Sequence, residues 1–201
     1  MIGLFLTGGW VMYPLLIVSI IGLAVMIERI IFFSTVERGN FNHYFQKHIE
    51  ELMKKGDIKA AIEMCKNKNN SVAVTIRAIL ENYDRDRTSL QDLIQEVATT
   101  RIGMMDKLMW LLGIIASVSP LLGLLGTVCG IIVAFQSMAI ENGLGKPELM
   151  AKGIGEALIT TAAGLIIAIP CMIVYRYLEN QIDNVISEME KVSLRFLNIH
   201  K

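Results

Sequence analysis

Two apolar stretches, Leu108 to Ile140 and Gly153 to Tyr175, constrain what this chain can fold into more than any other feature. Each holds an uncharged run close to the roughly 20 residues that an α-helix, rising about 1.5 Å per residue, needs to cross a bilayer. Lipid offers no partner for backbone N–H and C=O groups, so a spanning segment satisfies them internally, and runs of this length do so as helices. Neither stretch is a plain anchor. The first carries Pro120, Gly126, Thr127 and Gly130; the second carries Glu156, Ala157, Thr160, Thr161, Gly164 and Pro170. Small residues, hydroxyls and a carboxylate belong on helices that face other helices or a polar path.

A third span lies near the start. Residues 1–27 contain no charged side chain, Trp10 and Tyr13 precede an apolar run from Pro14 to Ile27, and Glu28-Arg29 follow it. A cleaved signal peptide has its positive charge before the apolar run; here the charge comes after, which fits an uncleaved span with Trp10 and Tyr13 at the outer interface and Arg29 snorkelling to the inner one. Of the nineteen Lys and Arg, twelve lie in 34–107 and four in 176–201, while the loop between the second and third spans holds only Lys146 and Lys152. The positive-inside rule then gives three spans, with the N-terminus and the 141–152 loop outside and the polar block and C-terminal tail in the cytoplasm. The expected class is an all-α, multi-pass membrane protein. Its segments are 1–33 with the first span, a helical cytoplasmic block at 34–107, the second span at 108–140, an outer loop at 141–152, the third span at 153–177 and a cytoplasmic helix at 178–201.

Within the polar block, apolar residues from Phe41 to Met53 recur at helical spacing. Gly56 stops that helix, Asp57 caps the next, Asn69-Asn70-Ser71 ends it, and a third helix covers 72–83. A capping box at Thr88 with Gln91, or Ser89 with Asp92, opens a helix that meets no breaker. The pattern predicts one helix of roughly 50 residues from Ser89 to Ile140, about 75 Å long, against a hydrocarbon core of about 30 Å. After Tyr175, Leu178, Ile182, Val185, Met189, Val192, Phe196 and Ile199 alternate spacings of four and three. This seam packs either on the chain's own cytoplasmic block or on a second subunit.

Several function classes are excluded. Net charge is zero, so no basic field points to nucleic acid. Cys65, Cys129 and Cys171 have no zinc-like spacing, His43, His48 and His200 form no ligand set, and no Walker-type glycine loop is present. No metal, cofactor or enzymatic constellation is expected. What remains is the polar belt. Glu156 is the one acidic residue well inside a crossing: either it faces a lumen and handles protons, or it sits at the outer interface, paired with Lys152 one turn back. Thr160 lies one turn beyond Glu156 on nearly the same face, Thr161 about 100° round, and Thr127 on the preceding span. Each threonine alternatively bonds only its own helix. Gly126-xxx-Gly130, Gly153-xxx-Ala157 and Gly164 permit close helix approach, and Pro120 and Pro170 are candidate kinks, or are accommodated by neighbouring helices. Three spans hardly enclose a pore, so a polar face on them argues for an oligomer.

The segments Pro120-Leu-Leu-Gly-Leu-Leu-Gly-Thr-Val-Cys-Gly-Ile131 and Gly155-Glu-Ala-Leu-Ile-Thr-Thr-Ala-Ala-Gly-Leu165, with Ala168-Ile-Pro170 after them, resemble the ExbB/TolQ/MotA proton-channel family, most closely its ExbB/TolQ branch. The flagellar stator branch has a fourth span that this chain lacks. Cys129 stands where many relatives have a bulkier residue, and Arg176 where a neutral polar one is common. The resemblance implies a homopentamer in the bacterial inner membrane around the single spans of an ExbD/TolR-like partner. Proton flow would drive motion, and a TonB/TolA-like protein would carry force across the periplasm. By motif match it places Thr127, Glu156 and Thr161 on lumen-lining positions; Thr160, nearer Glu156 on the helix, is a further ion-path candidate, and the residues alone do not choose between the two hydroxyls. It leaves open an ExbB-like role in nutrient import, a TolQ-like role in envelope integrity and division, and a purely structural scaffold.

Overall fold

The computed structural model describes residues 8–37, 43–66, 68–140 and 147–199. They form seven helices: α1 (Met12–Phe32, followed by a π-helical turn at Phe33–Glu37), α2 (His43–Lys54), α3 (Ile58–Lys66), α4 (Ser71–Glu81), α5 (Arg87–Asp106), α6 (Met109–Ile140) and α7 (Pro147–Ile199). No strand occurs among the described residues. Three helical stretches are long and apolar enough to cross a membrane: Met12–Glu37, Arg87–Gln136 and Met150–Asn198. The polar outer loop falls mostly in 141–146, outside the described residues, as does His200; α7 already begins at Pro147, a residue pre-shaped for the first helical position.

The chain divides into two compact units: 1–28 with 108–176, and 29–107 with 177–201. The first gathers α1, α6 and the apolar part of α7. Val25, Leu112, Ile115, Ala116 and Cys171 are buried together, and Val11, Met12 and Leu15 pack with Leu122, Ala163 and Ile167. Gly22 lets the three helices meet: a Cβ there would lie 3.2 Å from both Cys171 Sγ and Ile115 Cγ2. The remaining faces, including Ile17, Ile20, Leu121, Val128, Ile166 and Ile173, are exposed and apolar, as a bilayer requires. α6 and α7 run uninterrupted through Pro120 and Pro170.

The second unit is a helical core in which Ile49, Cys65, Ile76, Ile79, Leu80 and Leu90 pack with Met189, Val192 and Phe196. Gly56, at φ +80°, ends α2, and Asp57 Oδ1 accepts from Ala60 N at 3.2 Å. Asn70 caps α4 by accepting from Ala73 N, and Glu37 reaches the same terminus, where its carboxylate accepts from Ser71 N (3.1 Å) and Ser71 Oγ (2.7 Å). Thus the C-terminal seam settles on the chain's own helices: Leu178, Ile182, Met189, Val192 and Phe196 are all buried within one chain. Arg195 adds an ion pair to Glu50 at 3.0 Å. The side chain of Ile199 lies outside the described residues.

Two expectations about α5 are corrected. Its N-cap is Asp86, not Thr88 or Ser89: Asp86 accepts from Ser89 N (3.1 Å) and Ser89 Oγ (2.6 Å), and Thr88 Oγ1 also donates to it. A carboxylate two residues before Thr88 gathers two hydroxyls and an amide, which outcompetes a hydroxyl cap, and these bonds hold its pKa far below the usual range. Nor is there one helix from Ser89 to Ile140. The helix stops at Asp106, Lys107 is extended, Leu108 takes φ +64°, and α6 starts at Met109.

Cys65 is fully buried in the second unit, and burial pushes its thiol up to about 11. The unfolded thiol loses its proton first, so the stabilising difference is intact below pH 9 and disappears as pH rises toward 11. Raising pH across that window is expected to cost on the order of 2 kcal/mol. Cys65→Ala should flatten this alkaline loss in thermal unfolding while lowering stability at pH 7.

Candidate functional site

The belt residues sit on α6 and α7, whose facing surfaces are built from small residues. A Cβ at Gly123 would lie 3.0 Å from Thr161 Cα, one at Gly130 would lie 2.8 Å from the Gly153 carbonyl and 2.9 Å from Ala157 Cβ, and one at Gly164 would lie 2.5 Å from the Ser119 carbonyl. A Cβ at Gly126 would run into the Thr160 side chain. Gly126, Gly130, Gly153, Ala157 and Gly164 all lie at this contact, together with Gly123 and Ala134. Gly123, Gly126 and Gly130, separated by three and four residues, carry the whole stripe; a search for Gly-xxx-Gly alone finds only its second half.

This packing separates the threonines. Thr160 is 1% exposed, and its hydroxyl donates to Ala157 O (2.8 Å) and Glu156 O (3.3 Å) on its own helix. Thr161 is half-buried and donates across the seam to Gly123 O at 3.1 Å. A glycine at 123 exposes the backbone carbonyl that this bond needs. Thr127 donates to Leu124 O at 2.7 Å and lines an apolar cavity of about 300 Å³ with Ala134, Ile154 and Ala157. So Thr160 is sealed in the helix–helix interface, whereas Thr127 and Thr161 keep part of their surface outside it. Ser119, buried and bonded to Ile115 O at 2.7 Å, is a further hydroxyl of the seam, absent from the sequence-derived belt.

Glu156 is half-buried, one turn before Thr160. Among the described residues it forms no ion pair with Lys152, which is exposed. A Cβ at Gly9, which has φ +70°, would lie 3.8 Å from Glu156 Oε2, so the Gly9 backbone lies close beside the carboxylate. Arg29 does not extend into solvent: it is 1% exposed and donates to the carbonyls of Met104 (3.2 Å) and Met105 (3.3 Å).

Three apolar helical stretches, two of them joined by a small-residue seam with a carboxylate at its rim, define a multi-pass helical membrane protein. Residues 42–191 match the MotA/TolQ/ExbB proton channel family, and the chain belongs to that family, in its ExbB/TolQ branch. It is 30% identical over 189 residues to a putative biopolymer transport protein ExbB homolog of Methanothermobacter thermautotrophicus, covering 94% of this chain and 66% of that one. It is 28% identical over 194 residues to the biopolymer transport protein exbB1 of Vibrio cholerae, covering 95% and 84%. The Tol-Pal system protein TolQ of Haemophilus influenzae is 35% identical over 109 residues, 54% of this chain and 41% of TolQ.

Proposed function

We propose that this chain is the ring-forming subunit of an inner-membrane proton-channel motor that works with an ExbD/TolR-like single-span partner and energises outer-membrane processes, TonB-dependent nutrient import foremost. The observation that carries the reading is Glu156: a half-buried carboxylate in an otherwise uncharged crossing, beside the α6–α7 seam, in a member of a proton-channel family. Its neighbours divide the work. Thr160 and the glycines fix α7 against α6. Thr127, Glu156 and Thr161 retain polar surface and would line the lumen once subunits close around the partner. The N-terminus would be periplasmic, the second unit cytoplasmic, and a TonB/TolA-like protein would carry force outward. The broad ExbB-type matches favour import; a TolQ-like role in envelope integrity is the second reading, supported by the TolQ match.

A purely structural scaffold is the competing class. It draws on the three threonine hydroxyls, all of which donate to helix carbonyls and so act as glue. Native mass spectrometry of the chain co-expressed with an ExbD/TolR-type partner separates the two. The motor reading expects a ring of five copies retaining a smaller number of partner chains. A monomer or dimer that retains no partner leaves the polar face without a lumen and sinks the reading.

A further inference from the structure

The break at Lys107–Leu108 has no local cause. Neither residue is glycine or proline, the last turn of α5 carries no basic residue, and Asp106 puts a negative charge where the helix dipole disfavours one. Leucine at φ +64° is a strained choice, since its Cβ crowds the following carbonyl. Ordinary helix chemistry would continue the helix, as the sequence pattern predicts. A force from elsewhere in the chain holds it open.

Arg29 sits at that end. A continuous helix would pair the Leu108 amide with the Met104 carbonyl and the Met109 amide with the Met105 carbonyl, each four residues back. Those are the two carbonyls to which Arg29 Nη1 donates, at 3.2 and 3.3 Å. The guanidinium is buried, and its Cζ lies 4.7 Å from the Phe32 ring centroid, so the α1 terminus holds the cation in place. A carbonyl oxygen has two lone pairs, so the guanidinium does not bar the amides outright; it gives both carbonyls a charge-assisted partner that leaves them satisfied without the helix bonds, and a cation complements the negative end of the α5 dipole.

We infer that Arg29 is a cap supplied from α1 that claims the Met104 and Met105 carbonyls, ends α5 at Asp106 and holds Leu108 in its left-handed conformation. Without the guanidinium, the amides of Leu108 and Met109 recover their acceptors and Leu108 relaxes into right-handed helix. This inference stands on the helix ends alone and is independent of the proton-channel proposal.

The test uses the full chain in lipid nanodiscs, with carbon chemical shifts at Leu108 and hydrogen exchange at the Leu108 and Met109 amides. The native chain should show a left-handed Leu108. In Arg29→Met the shifts should move to right-handed helical values and exchange at both amides should slow by about tenfold, the scale of the strain released. A merely structural arginine gives the opposite sign: faster exchange there in Arg29→Met overturns the inference, as does an unchanged left-handed Leu108. Should Arg29→Met fail to accumulate, Arg29→Lys carries the test, because an ammonium on a flexible stem lacks the planar fork. Slower exchange at either amide in Arg29→Lys supports the cap, and unchanged exchange at both overturns it. Leu108→Gly and Leu108→Ala both remove the side chain that packs beside Leu112 and Ile115, but only glycine takes a left-handed conformation without strain, so the glycine variant should have the higher thermal midpoint; a lower one counts against the strained joint.

Discussion

Gly164→Ala is expected to destabilise the α6–α7 pair by about 3 kcal/mol, although alanine is the better helix former. Two effects of opposite sign compete. Propensity favours alanine by roughly 1 kcal/mol. Against it, the new Cβ would lie 2.5 Å from the Ser119 carbonyl oxygen and 3.2 Å from Gly123 Cα. Both are backbone atoms, so no rotamer change relieves the clash and the helices have to part. Parting them also breaks the Thr161 bond to Gly123 O and unpacks the buried Thr160. Gly155 provides the control on the same helix: no atom lies within 4 Å of a Cβ there, so in the isolated chain Gly155→Ala should stabilise by about 0.5–1 kcal/mol. Thermal unfolding of the two variants in detergent decides it. Equal midpoints would mean that α6 and α7 are not held by backbone proximity.

The spans and most helix ends are written locally, and this is why they can be read. An uncharged run of twenty residues has few ways to satisfy its backbone in lipid. Gly56 ends α2 because it alone takes φ +80° cheaply, and Asn70 caps α4 because its side chain reaches an amide three residues on. The break at Leu108 is not local. Its residues favour continuation, and the groups that compete for the helix carbonyls come from Arg29, on a different helix. Arg29 reads from its neighbours as the cation that follows the first apolar run, and its burial against a distant helix end leaves no trace in sequence spacing.

The belt was legible as a set of residue types but not as an arrangement. Thr160 and Thr161 differ by about 100° of rotation on the helix, and both have small residues nearby. Which one is sealed depends on the rotation of α7 against α6, fixed by Gly126 fitting over Thr160 and Gly123 under Thr161. The C-terminal seam left two partners open for a related reason: a 3.5-residue stripe says that a helix packs, and not on what. Ile49, Ile76 and Leu90, lying under Met189, Val192 and Phe196, decide for the chain's own helices.

Glu156→Gln is expected to reduce proton-coupled work to background while the protein accumulates and assembles as before. An ionised carboxylate in a bilayer-spanning helix costs up to about 3 kcal/mol, depending on depth. A half-buried group with that cost and no ion pair to Lys152 adds little to the packing of its own chain. The small-residue seam supplies that packing, and Thr160, one turn on, is satisfied by helix carbonyls without the carboxylate. Removing the charge should thus leave stability unchanged or raised, with ion coupling lost; glutamine keeps the shape and hydrogen-bonding capacity but cannot exchange a proton near neutral pH. The scaffold reading expects the reverse, because a polar side chain used as glue takes assembly with it when it goes. Proton flux into vesicles containing the chain and an ExbD/TolR-type partner, measured beside the native subunit count for Glu156→Gln, Glu156→Asp and Thr161→Val, separates the two. Intact assembly without flux in Glu156→Gln, with partial flux in Glu156→Asp, assigns the carboxylate to the ion path. Intact assembly with full flux in Glu156→Gln removes Glu156 from it and leaves Thr161, whose hydroxyl already bridges the two helices, as the residue to pursue.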